Sequence, residues 1–324
     1  MPGPLEARIP DANRGQRLDQ TLAQLFPDFS RTRLKNWIDA GRVLVDGRTP
    51  RPKDVVAGGE VVVLDPVEEP RVQVAPEPIE LEIVHEDPAF LVINKPAGLV
   101  VHPGAGNPRS TLQNALLHRD PELAGLPRAG IVHRLDKETS GLLVVARTAQ
   151  AHAHLIKALA AHEVARIYEA VAIGVMTAGG TVDAPIDRHP VDRLRMAVRG
   201  AGRAAVTHYR VIERFRAHTH VRVELETGRT HQIRVHLAHA GFPLVGDALY
   251  GRRLVIPKTP TARVEASLRA FHRQALHAAE LAFAHPVSGE RVEFRAPLPA
   301  DLVDLLAALR EDARAARAAA PARR

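Results

Sequence analysis

The sequence predicts an α+β protein of two modules, and three observations carry that prediction. A proline- and glutamate-rich stretch from Pro66 to Pro88 interrupts the chain. Ahead of it, apolar residues fall first at helical spacing and then in short β-type runs. Behind it, candidate strands follow one another without a regular βα alternation. That order points to a mainly antiparallel mixed sheet flanked by helices, rather than a doubly wound fold. The 324 residues are also enough for two domains at roughly 100–200 residues each. The expected division is residues 1–66, a linker over 67–82, a large module over 83–300, and a helix and tail over 301–324.

In the small module Leu18, Leu22 and Leu25 share one helical face, and Pro27 ends that helix. Ser30 is a good N-cap for a second helix, Arg31 to Ala40, with Leu34, Trp37 and Ile38 at core spacing. Val43 to Val45 reads as a short strand, Asp46-Gly47 as a turn, and Gly58-Gly59 precedes a second strand, Val61 to Leu64. Arg31, Arg33, Lys35 and Arg42 lie on or beside the second helix, off its apolar face. This pattern resembles the S4-type RNA-binding module, which implies that these four cations contact RNA; a small helical domain with a solvated basic face would look the same.

In the large module the candidate strands are Phe90–Asn94, Leu142–Ala146, Ile167–Ile173, Thr207–Arg214, Thr219–Glu226 and Arg291–Arg295. Helices are expected at Thr111–His118, Ala149–Ala161, Gln232–Ala240 and Ala300–Arg310, with an Ala/Arg tail that frays from Arg314.

Net charge is +7, from 44 Lys and Arg against 37 Asp and Glu. The excess belongs to residues 90–300, where 28 basic side chains, mostly Arg, face 17 acidic ones. Arg suits planar contacts with phosphates and bases, although a general replacement of Lys by Arg gives the same composition. The absence of cysteine excludes a disulfide scaffold, Cys-ligated zinc, an iron–sulfur cluster and a thiol nucleophile. The start, Met1-Pro-Gly-Pro, lacks the apolar segment of a signal peptide. No apolar run approaches the ~18 residues of a membrane span. The expectation is a soluble, cytoplasmic monomer without a membrane partner.

Several familiar signals fail. Gly104-Ala-Gly106-Asn-Pro-Arg109 lacks the Lys of a P-loop and the third Gly of a dinucleotide fingerprint. The 17 histidines include no HExxH. His231 and His236 lie about 140° apart around a helix, so no metal is expected. No GxSxG elbow occurs. The most informative stretch is His133-Arg134-Leu135-Asp136-Lys137-Glu138-Thr139-Ser140-Gly141, a polar loop before an apolar strand. It holds Asp136 between two cations, which favours the carboxylate that a nucleophile or base needs. Taken alone, the same arrangement reads as a structural salt bridge.

His-Arg-Leu-Asp followed by Thr-Ser-Gly-Leu resembles the signature of the RluA-type pseudouridine synthases. Further blocks occur in that family's order: Asn94-Lys95-Pro96-Ala97-Gly98-Leu99, Ala165-Arg166-Ile167-Tyr168-Glu169-Ala170, the run Thr227 to His236, Pro243 to Asp247, and Gln274 to Ala278. The stretch Ala172 to Pro190, with Met196 to Val198 and Ala205 to Tyr209, is similar to the branch acting on large-subunit ribosomal RNA. The resemblance covers about residues 80–300.

It implies isomerisation of uridine to pseudouridine in 23S rRNA, in the hairpin loop of helix 69, with no cofactor. Asp136 would be the catalytic carboxylate and Arg234 its partner. Tyr168 would stack beneath the flipped uracil, Leu276 would pack the pocket wall, and Arg134, beside His133, would help displace the base. Lys95, Arg229 and His231 would be RNA or structural contacts.

Overall fold

The computed structural model describes residues 3–319 except Ser30, residues 68–73, Ala105, Arg252 and the side chain of Thr32. The proposed Ser30 cap, part of the Pro/Glu stretch and the end of the tail therefore lie outside the described residues. The chain forms two compact units, residues 1–73 and 74–324.

The first unit contains β1 (Leu5–Arg8), α1 (Leu18–Leu25), α2 (Arg31–Asp39), β2 (Val43–Val45) and β3 (Val61–Leu64). The strands form an antiparallel sheet in the order β1-β3-β2. Asp46 and Gly47 both take positive φ, 48° and 73°, the geometry of a type I′ turn. Leu18, Leu22, Leu34, Trp37 and Ile38 close over Val43, Val62 and Leu64 as one core. Helical spacing placed those positions correctly. β1 was not expected, because its four residues, Leu-Glu-Ala-Arg, are too short and polar to stand out.

The second unit begins earlier than the sequence suggests. The Ala75 carbonyl accepts the Asn114 amide at 2.7 Å and Glu77 N donates to the Asn114 carbonyl at 3.1 Å, so the later part of the expected linker packs on the domain. In chain order its elements are β4 (Glu82–Glu86), β5 (Phe90–Lys95), α3 (Leu112–Arg119), β6 (Ser140–Ala146), α4 (Ala149–Ala160), β7 (Ala165–Ile173), β8 (Gly180–Asp183), β9 (Ile186–Arg188), β10 (Met196–Val198), β11 (Val206–Arg214), β12 (His218–Leu225), α5 (Gln232–His239), α6 (Ala262–Ala270), β13 (Leu276–Ala284), β14 (Arg291–Arg295) and α7 (Ala300–Ala319). Nine strands make one sheet, ordered β4-β5-β6-β13-β7-β12-β11-β8, with β14 added to β13. Every pairing is antiparallel except β6 with β13. The expected mainly antiparallel mixed sheet is therefore present.

At β6 both faces of this sheet are covered. Leu143 and Val145 of β6 pack with Leu112 and Leu116 of α3, whereas Leu142, Val144 and Ala146 face Ala151 and Leu155 of α4. That explains why β6 reads as an unbroken apolar run instead of an alternation. β13 was not anticipated for a related reason. Leu-His-Ala-Ala-Glu-Leu-Ala-Phe-Ala is buried almost throughout, so it shows no period of two, and Ala, Leu and Glu favour helix in isolation. The tail also departs from expectation: α7 continues through Arg314 to Ala319, as strong helix formers do when one face is packed.

Candidate active site

Asp136 lies on the loop entering β6, and two distant segments, residues 95–98 and 273–274, fix that loop. The Lys137 carbonyl accepts Gly98 N at 2.9 Å and Lys95 Nζ at 3.0 Å. The Gln274 amide donates to the Thr139 hydroxyl at 3.0 Å. Arg273 Nη1 reaches the Glu138 carbonyl at 3.3 Å. Of the two roles expected for Lys95, an RNA or a structural contact, its surroundings fit the structural one. It is fully buried, at 0% exposure, and its ammonium also donates to the carbonyls of Pro96 and Leu99 at 2.7 and 3.0 Å. Burial pushes its pKa down to about 7, but three carbonyl acceptors match the three donors of an ammonium. Lys95 thus braces the loop that carries Asp136.

His133 is on the same loop and lines the cleft. Its Nε2 accepts the Val144 N–H at 3.1 Å, so the neutral ring ties the loop to β6. Burial, assisted by the charge of Arg166, pushes its pKa down to about 3. Arg134 is exposed at the cleft mouth.

Arg234, in the first turn of α5, meets two carboxylates. Nη1 donates to Asp136 Oδ2 at 2.9 Å, while Nε and Nη2 hold Asp247 at 2.8 and 2.9 Å. Asp247 also accepts the backbone N–H groups of Leu249 and Tyr250 at 2.9 and 3.1 Å. Burial opposes charge on both residues of the inner pair. Their mutual hydrogen bonds outweigh it, so the Arg234 pKa lies above its ordinary value and that of Asp247 below. A bidentate, buried Asp247 leaves one guanidinium nitrogen to aim at Asp136.

His231 precedes α5 in the left-handed conformation, φ 56°, and brings Nε2 to 3.9 Å from Asp136 Oδ1. The Tyr250 hydroxyl holds the ring from the far side: its oxygen accepts Met196 N–H at 2.7 Å and lies 2.8 Å from His231 Nδ1. Burial lowers the His231 pKa, with the nearby Asp136 opposing.

A cleft of about 530 Å³ opens over these groups. Its floor is one face of the sheet. Tyr168 stands opposite Ala278 and Val223, and Leu276 and Leu225 lie two residues along those strands on the same face. Burial raises the Tyr168 pKa, with Arg166 opposing. Asp136, Tyr168, Arg234, Arg134, His133, Leu276, Arg229 and His231 all line the cleft. Asp247 and Tyr250 escaped notice as site residues: Asp247 was only part of a motif, and nothing in Tyr250's local sequence ties it to residues 19 and 54 positions away.

In the first unit Arg31 pairs with buried Asp19 at 2.8 Å, and Arg42 pairs with Asp65 at 2.8 Å. The Arg33 guanidinium lies 4.6 Å from the centre of the Trp37 ring. Lys35 is exposed. Among the described residues no group of three or more His, Asp and Glu gathers where a metal could bind, and no helix is long and apolar enough to cross a membrane.

Residues 89–239 match the RNA pseudouridylate synthase family, and residues 16–62 match the S4 domain. The chain is 59% identical to the ribosomal large subunit pseudouridine synthase D of Xanthomonas campestris pv. campestris, over 98% of this chain and 96% of that one. The protein of the same name from Pseudomonas aeruginosa is 57% identical over 94% and 96% of the two chains. The structure of human RNA pseudouridylate synthase domain containing 4 aligns with a TM-score of 0.56 at 28% identity, covering 71% of this chain and 93% of that one. With relatives this similar along nearly its whole length, the chain belongs to the RNA pseudouridylate synthase family, isomerases acting on RNA, and carries an S4 domain ahead of the catalytic one.

Proposed function

We propose that this enzyme converts uridine to pseudouridine in 23S ribosomal RNA, in the hairpin loop of helix 69, without a cofactor. The observation that carries the reading is Asp136, the one carboxylate among the residues lining the cleft, held by Arg234 above the apolar floor of Tyr168 and Leu276. The relatives' names, which refer to the large ribosomal subunit, support the choice of RNA.

The reaction breaks the N1–C1′ bond, turns the base and joins C5 to C1′; the C5 proton leaves and N1 gains one, so the product is an isomer. A paired uridine must first leave its stack, at a cost of a few kcal/mol. Arg134, exposed and without an ion pair among the described residues, fills the place of the base. Asp136 acts at the sugar, by attack on C1′ or by removing the 2′ proton; either route needs an oxygen held on target, and Arg234 and the braced loop hold it. Tyr168 stacks under the uracil, with its hydroxyl placed to relay the C5 proton.

The test is to incubate the enzyme with undermodified 23S rRNA and map carbodiimide-dependent reverse-transcription stops. New stops are expected in the helix 69 loop, and none with Asp136→Asn. Stops elsewhere would overturn the helix 69 assignment, and released uracil would indicate a glycosidase. Turnover by Asp136→Asn within about tenfold of wild type, a loss of no more than about 1.4 kcal/mol, would remove Asp136 from the chemistry.

A further inference from the structure

Six arginines line the cleft against a single carboxylate. Arg234 is committed to Asp136 and Asp247. Among the described residues the other five, Arg128, Arg134, Arg166, Arg203 and Arg229, have no carboxylate partner. Elsewhere in the domain comparable side chains are paired, as Arg222 is with Glu280 and Arg273 with Asp301.

Three of the five are built into one cluster. Arg166, on β7, is 8% exposed. Its Nη2 donates to the Glu226 carbonyl at 3.2 Å, and its buried Nε has no partner. Glu226 begins the segment that carries Arg229. The Nε of Arg229 in turn donates to the Ala204 carbonyl at 3.0 Å, next to Arg203. The backbone of Arg203 is pinned by two hydrogen bonds with Ile186, each 2.9 Å. The guanidiniums of Arg166 and Arg229 are therefore each held by the segment that bears the next arginine of the three. Gly228 leaves the room this needs, since a Cβ there would overlap the Arg166 guanidinium. Like charges fixed side by side repel, and an anion shared among them relieves that repulsion. The pKa of Arg229 is depressed by burial and then by Arg203 and Arg166.

We propose that Arg166, Arg203 and Arg229 form a clamp for one phosphodiester of the backbone that carries the target uridine. This assignment rests on the proposed flipping of a uridine into the cleft. The chemistry gives the clamp a purpose: the base must detach and turn while C1′ stays beside Asp136, and a fixed phosphate anchors the sugar during that motion.

The test uses a synthetic helix 69 hairpin, with neutral methylphosphonates placed singly at the phosphates flanking each loop uridine. Arg203→Gln is the principal variant, because Arg203 is exposed and its loss leaves the fold intact. Arg229→Gln and the charge-preserving Arg166→Lys accompany it. On native RNA each Gln variant is expected to make the slope of log K against log salt shallower by about 0.7 and to slow single-turnover isomerisation about tenfold or more. On the hairpin whose clamped phosphate is neutral, variant and wild type should become equal; neutralising any other phosphate should leave the deficit. Unchanged salt slopes, or deficits that persist on every methylphosphonate hairpin, would overturn the clamp. Binding is read apart from isomerisation, so a hairpin that is bound but never isomerised counts against the helix 69 reading alone, and the slopes still decide the clamp.

Discussion

Arg234 sits between two carboxylates, and the inner one, Asp247, is out of reach of solvent. Removing one partner of such a buried pair leaves an uncompensated charge, which typically costs about 3–5 kcal/mol. Asp247→Asn is expected to lose about that much stability to denaturant. It should also lower kcat more than it raises KM, because the guanidinium that aims Asp136 is then held by one partner fewer. A variant with wild-type kcat would show that Arg234 keeps its pose without Asp247. His133 gives a second expectation at this scale. Its folded pKa, about 3, lies below the ordinary 6.5, so on acidification the unfolded chain takes up the proton first. The stability it lends is complete above pH 6.5 and is lost as pH falls toward 3, by up to about 1.4 kcal/mol per pH unit. His133→Gln keeps an acceptor for the Val144 N–H and has no titrating ring. Its unfolding free energy should fall about one proton less steeply between those limits; identical slopes would mean that folded His133 takes up the proton.

β6 carries the Asp136 loop at its start and meets β13 over only two residue pairs, His277 with Ser140 and Ala278 with Gly141. Gly141 is what permits that approach. Its φ is 115°, and a Cβ there would overlap the backbone of Ala278. Positive φ and overpacking together should make Gly141→Ala destabilising by roughly 2–4 kcal/mol. Chemical denaturation measures this directly, and a loss below about 0.5 kcal/mol, the range of an ordinary surface change, would show that the strands part freely. Since Tyr168 faces Ala278 across the next pairing, the same substitution should disturb the cleft floor.

Across the whole molecule, each unit has its own core, and the cleft residues all belong to residues 74–324. Deleting residues 1–73 should therefore weaken RNA binding while leaving isomerisation detectable on a short hairpin at high enzyme concentration. Arg31 and Arg42 are already engaged with Asp19 and Asp65, so not every cation of the S4 domain is available to phosphate. If two contacts are lost, the salt slope becomes shallower by roughly 1.4 units. An unchanged slope would show that the S4 domain does not touch the RNA backbone.

Local signals were enough for most of the elements and for the loop that carries Asp136. Helical spacing placed Leu34, Trp37 and Ile38, and apolar runs placed β5, β6 and β7, because a side chain's period along the chain is set by the element itself. The sequence motifs also paired Asp136 with Arg234 across 98 positions, a pairing that no local pattern contains. Only the tertiary structure decided the rest. It inserted β13 between β6 and β7, sank Lys95 beneath the loop, locked Arg234 onto Asp247, and gathered Arg166, Arg203 and Arg229 on one wall. These depend on the order of strands in the sheet and on which faces are buried. An Arg or Lys in isolation carries no mark of whether its charge will meet a carboxylate, three carbonyls or open solvent.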